Sequence, residues 1–69
     1  MKTDKFQYLL IYKFKNPNYF YHLYFRNADT LLKFLKRKNE ILYDIYVLDL
    51  YSKYDVTKIF KYCLTTSYN

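Results

Sequence analysis

Sixty-nine residues with twelve Lys or Arg against six Asp or Glu, a formal charge of +6, eleven Tyr, six Phe, one Cys and no Gly describe one small domain that has to be held together by packing alone. A chain of this length buries only about 60% of the surface its unfolded form exposes, its single cysteine excludes an internal disulfide, and no Cys/His cluster offers a structural metal site. Without glycine there is no phosphate-cradling loop or tight catalytic turn, which argues against an enzyme or a nucleotide cofactor.

The aromatic residues take over the role of those missing staples, because each ring buries about 150–250 Å² when covered. So many tyrosines cannot all be internal, and exposed Tyr is a common basis for protein contacts and base stacking. The positive charge favours polyanions or an acidic partner. Abundant Lys, Asn, Tyr, Ile and Phe beside one Ala and no Trp also match the drift of an AT-rich genome, which leaves a compositional origin of the charge as the competing reading. Lys2 and Lys5 precede an apolar run as in a secretory signal. Gln7 and Lys13 interrupt the run, however, and no small-residue cleavage site follows. No stretch approaches the ~20 apolar residues of a membrane span. With a lone cysteine, the expectation is a reducing setting, the cytoplasm of a host cell, and no membrane partner.

The first element in chain order is a strand over residues 5–15, around which the rest is organised. Phe6, Tyr8, Leu10, Tyr12 and Phe14 share one parity, and Leu9 and Ile11 are apolar on the other, so the strand buries side chains on both faces and is central. Lys15-Asn16-Pro17-Asn18 reads as a turn. A second strand over 18–26 pairs back as a hairpin, with Tyr12 opposite Tyr21, Leu10 opposite Leu23 and Tyr8 opposite Phe25 on a wholly apolar face. The opposite face, Lys13 with Phe20, Ile11 with His22 and Leu9 with Tyr24, is mixed.

A helix over 28–38 follows, capped by Asn27, with Asp29 in its first turn and Lys36, Arg37 and Lys38 in its last. Ala28, Leu31, Leu32, Phe34 and Leu35 form the stripe that lies on the apolar face of the hairpin, and Asn39 is suited to a left-handed C-terminal conformation. A third strand over 41–51 completes a right-handed crossover, which places it beside the first. Residues 55–64 are read as a second helix starting at Asp55, with Val56, Ile59, Phe60, Cys63 and Leu64 at core spacing. A terminal strand is the competing reading of that segment, and 65–69 is a frayed tail. The predicted fold is α+β: a three-stranded antiparallel sheet in the order second, first, third, arranged ββαβ(α).

The candidate catalytic groups amount to little. His22 has no Ser or Cys nearby in sequence, Cys63 falls on a core stripe, and Asp44 and Asp49 lie five apart on a strand and face opposite sides. Catalytic and metal sites are therefore expected to be absent. Two candidate binding surfaces remain. One is basic: Lys33, Lys36, Arg37 and Lys38 on the first helix, with Lys53, Lys58 and Lys61 from the carboxy-terminal segment, suited to phosphate contacts. The same cluster also reads simply as a solvated helix face. The other is aromatic: Phe20, His22, Tyr24 and Arg26, with Lys13, on the far sheet face, where exposed rings beside cations suit base stacking. The last helix, through Val56, Ile59 and Phe60, is expected to cover this second surface.

The hairpin FQYLLIYKFKNPNYFYHLYF, the helix ADTLLKFLKRK and the strand DIYVLDLY together resemble the small proteins that bacteriophages encode to inhibit host enzymes, such as uracil-DNA glycosylase inhibitors, polymerase inhibitors and anti-CRISPR proteins. The resemblance implies a non-enzymatic inhibitor that blocks a host protein or ribonucleoprotein by occupying a surface. Many such inhibitors are acidic DNA mimics. Because this chain is basic, contact with the nucleic acid in a complex or with an acidic protein surface is implied instead. A stand-alone basic nucleic-acid-binding accessory protein is the alternative, and an exposed edge of the second or third strand offers pairing in a homodimer.

Overall fold

The computed structural model describes residues 5–15 and 19–66. The predicted turn at Asn16-Pro17-Asn18 and the end of the tail, 67–69, lie outside them. The elements are β1 (Tyr8–Phe14), β2 (Phe20–Phe25), α1 (Ala28–Lys38), β3 (Leu42–Asp49), β4 (Tyr54–Asp55) and α2 (Thr57–Thr66). The sheet is antiparallel in the order β2-β1-β3-β4. The hairpin register joins Tyr8 to Phe25, Leu10 to Leu23 and Tyr12 to Tyr21, as the alternation of the two strands requires.

Three of the expectations are corrected. The sheet has four strands rather than three, because the segment before α2 adds a two-residue strand against Leu48 and Asp49. Asp55 belongs to that strand, and the second helix begins at Thr57 instead of Asp55. The Asp55 carboxylate still serves the helix start, accepting the Thr57 N–H at 2.9 Å and the Thr57 hydroxyl at 2.6 Å. Asn39 keeps right-handed helical geometry, φ −53°, and the turn closes when the Ile41 N–H donates to the Lys38 carbonyl at 3.0 Å. The left-handed conformation falls instead on Lys53, φ 69°, in the tight β3–β4 connection, where a chain without glycine has to use a residue with a Cβ.

Both helices lie on one face of the sheet. Leu31 and Leu35, one turn apart on α1, are fully buried against Leu10 and Val47, with Tyr12 and Ile45 beside them and Phe60 of α2 in the same cluster. The Phe60 ring meets Tyr8 edge-on, centroids 5.3 Å apart. Asn27 caps α1 through its side-chain oxygen, which accepts the Thr30 N–H at 3.0 Å. The second helix contributes Phe60, with Val56 just before it and Leu64 one turn on, to the core. Ile59, expected on that stripe, is 60% exposed.

Candidate nucleic-acid interface

Because both helices occupy one side, no described element covers the other side of the sheet. The expectation that the last helix would use Val56, Ile59 and Phe60 to cover the aromatic surface is overturned: Val56 and Phe60 pack on the α1 side, and Ile59 faces solvent.

The register lays out the open face as three rows across the strands. Tyr24, Leu9 and Leu48 form one row, His22, Ile11 and Tyr46 the next, and Phe20 and Lys13 lead the third. In this last row the register shifts: Lys13 faces Asp44 and Phe14 faces Leu42, so Tyr43 is the extra residue of a β-bulge. A bulge redirects the side chain it carries, and the Tyr43 ring lies against Lys13. The Lys13 ammonium sits 5.3 Å from the Phe20 centroid and 5.1 Å from that of Tyr43, held between rings from two flanking strands.

A second irregularity adds Phe6. Phe25 is the register partner of Tyr8, yet its carbonyl also accepts the Gln7 N–H at 3.0 Å. The chain therefore slips by one residue, and Phe6 leaves the buried stripe on which its parity would put it. Its ring lies 5.8 Å from Tyr24, with the Arg26 guanidinium 5.6 Å from its centroid. His22 meets Tyr24 edge-on at 6.0 Å. Phe20 is 63% exposed, Tyr24 49% and Tyr46 43%, while Leu9, Ile11 and Leu48 between them are half-buried.

Among the described residues the cations stand out. Two acids, Asp44 and Asp55, pair in register with open-face positions, and each carboxylate has a partner on α2. Asp44 accepts the Ile45 N–H at 2.9 Å and the Lys61 ammonium at 3.5 Å. Asp55 is held below the usual carboxylate range by the Thr57 hydroxyl and N–H, against a smaller opposing effect of burial. Among the described residues the face thus presents Lys13, Arg26 and His22 among rings, with its nearest carboxylates engaged elsewhere.

The other predicted surface lies mainly on the helices. Lys33, Lys36 and Arg37 are exposed on α1 and Lys38 is half-buried, while Lys58 and Lys61 are exposed on α2, beside the groove at the β3 edge that Tyr46 also bounds. Lys61 is paired with Asp44, and Lys53 stands in the β3–β4 turn, at the far end of β3 from the last turn of α1. Sequence reasoning named Phe20, His22, Tyr24, Arg26 and Lys13 for the open face and missed Phe6, Tyr43 and Tyr46. The parity of Tyr46 with Leu48 was readable; the two irregularities that add Phe6 and Tyr43 carry no sequence signal.

His22 and Cys63 lie on opposite sides of the sheet, and among the described residues no group of three or more His, Cys, Asp or Glu comes together to hold a metal. A cleft of about 240 Å³ is bounded by Leu42, Ile45, Leu64 and the Asp44–Lys61 pair, and an open groove of about 530 Å³ runs along the β3 edge between Tyr46, Asp55, Val56 and Ile59. No described helix is long and apolar enough to cross a membrane. No protein-family model matches the chain, and no curated protein or solved structure is significantly similar to it.

Proposed function

We propose that this is a non-enzymatic binding protein that works through the open face of its sheet by stacking exposed bases of single-stranded nucleic acid. The observation that carries the reading is the uncovered array of Phe20, Tyr24, Phe6, Tyr43 and Tyr46 interleaved with Lys13 and Arg26, with both register-matched carboxylates bound by residues of α2. Base–ring stacking is worth about 1–3 kcal/mol per base and tolerates any sequence, while cations beside the rings neutralise phosphates. Consistent with the resemblance to phage inhibitors, the protein acts in a host cell as an anti-CRISPR or anti-defence type of inhibitor, covering the nucleic acid of a host ribonucleoprotein complex and so blocking it. A stand-alone accessory role would use the same surface and differ only in whether a host activity stops.

The test is fluorescence anisotropy with labelled single-stranded and duplex RNA and DNA at low and physiological salt. Single strands should bind more tightly than duplexes, and affinity should fall steeply with salt. Phe20→Ala with Tyr24→Ala should lower single-strand affinity at least tenfold, on the scale of one lost stacking contact. Lys36→Glu with Arg37→Glu should have the smaller effect. If that charge reversal abolishes binding while the double alanine variant binds normally, the interface is the helix side and the proposal fails.

A further inference from the structure

The two edges of the sheet are finished differently. On the β3 side several outward backbone groups are engaged. The Val47 N–H donates to the Thr57 hydroxyl at 2.8 Å, and its carbonyl accepts the Val56 N–H at 2.9 Å. The Ile45 N–H is capped by Asp44, and the Asp49 carbonyl accepts the Lys53 N–H at 2.7 Å.

Antiparallel ladders alternate hydrogen-bonded and non-bonded pairs. Because Val47 points outward, its partner Leu10 turns its backbone toward Leu23, and Tyr21 and Phe25 follow the same phase. The N–H and C=O groups of Phe20, His22 and Tyr24 therefore line the outer edge of β2. Natural edges are usually blunted by charge, proline, a bulge or shortness. This edge is six residues long and carries no Lys, Arg, Asp, Glu or Pro, with Phe20, Tyr24 and the 39%-exposed Leu23 standing along it.

We infer that β2 pairs with β2 of a second copy about a twofold axis at His22, making one continuous eight-stranded sheet. Only this register uses all three outward residues of the strand: His22 faces its own counterpart, and Phe20 faces Tyr24 of the second copy in both directions. The side chains match on both faces, ring against ring on the open side and Tyr21 against Leu23 on the helix side. The occupant is a second copy because the strand is uncharged in a chain of charge +6. An acidic partner strand would find no cation on it, whereas two copies meet there without bringing like charges together. Pairing joins the two open faces into one aromatic surface of twice the length, and the inference holds whatever that surface binds.

Analytical ultracentrifugation over micromolar to millimolar protein reads the association directly, without nucleic acid. The mass should rise from the 8.7 kDa of one chain to twice that value. His22→Pro removes an outward N–H and no bond to β1, so it should stay monomeric with unchanged far-UV circular dichroism. Leu23→Lys, which places a charge on the edge, should also stay monomeric and covers the case in which the proline variant does not fold.

Register is read by oxidation in a Cys63→Ser background. His22→Cys should crosslink to its counterpart, because Cα atoms about 5.5 Å apart across a bonded pair suit a disulfide, and Leu23→Cys should not. A chain that stays monomeric throughout, a dimer that persists in both edge variants, or crosslinking through Leu23→Cys and not His22→Cys would overturn the inference.

Discussion

The two faces of this sheet are built from the same strands, and neighbours in sequence fall on opposite sides, yet they end in opposite states. On one face Leu10, Tyr12, Ile45 and Val47 are buried under two helices; on the other, Phe20, Tyr24 and Tyr46 stand in solvent. Aromatic content alone does not separate them, since Phe20 and Tyr24 on one face match Phe25 and Tyr21 on the other, and the β2 sets differ only in His22 against Leu23. What separates them is packing and charge. Both faces mix rings with aliphatic residues, but the covered face sets Leu10 and Val47 under the Leu31–Leu35 stripe, and the open face carries Lys13 and Arg26 among its rings. Exposed rings of this kind are what the proposed binding role requires.

The sharpest way to break the comparison is to cut into each face in turn. Leu35→Ala leaves a cavity under α1 and should cost about 2–5 kcal/mol, a large part of the roughly 5–15 kcal/mol that stabilises a typical domain. Chemical denaturation would read it as an early midpoint. Thr57→Val should cost about 1–3 kcal/mol, because the Val47 N–H loses its acceptor inside the core. Phe20→Ala with Tyr24→Ala should change stability by only about 0.5 kcal/mol per site while lowering single-strand affinity at least tenfold. A double variant that unfolds would make the open face structural after all.

The smallest effect is expected in acid. Asp55 is held low by the Thr57 hydroxyl and N–H. Asp49 is raised by burial but lowered further by the Ser52 and Tyr51 N–H groups and by the Gln7 and Ser52 side chains. Folded values below the unfolded reference of about 3.9 mean that both carboxylates contribute stability above that pH and lose it as the pH falls through the depressed values. The thermal midpoint should therefore hold steady from neutrality to about pH 5 and drop below about pH 4. Asp55→Asn should flatten the drop, and a midpoint indifferent to Asp55 would show that the β4–α2 junction is not held by that carboxylate.

Much of the fold was legible because period and parity are strong signals. The hairpin register follows from matching Tyr8, Leu10 and Tyr12 with Phe25, Leu23 and Tyr21, and the place of β3 beside β1 follows from crossover handedness. The side taken by α2 was not legible. Val56 and Phe60 would suit either face, and the choice rests on long-range contacts with Tyr8, Leu31 and Leu35 that no local pattern encodes. The fourth strand escaped notice because two residues, Tyr54 and Asp55, leave no periodicity. The aromatic half of the site was thus readable as a set of residues, while its being open was a tertiary outcome.

The central claim is that the open face, and not the basic helix side, is the working surface. Amide chemical-shift mapping of isotope-labelled protein during titration with a short single-stranded oligonucleotide tests it most directly. The account predicts that the largest shifts cluster at Leu9, Ile11, Lys13, Phe20, His22, Tyr24 and Tyr46. Shifts concentrated at Lys33, Lys36, Arg37 and Lys58, with the sheet residues unmoved, would contradict it.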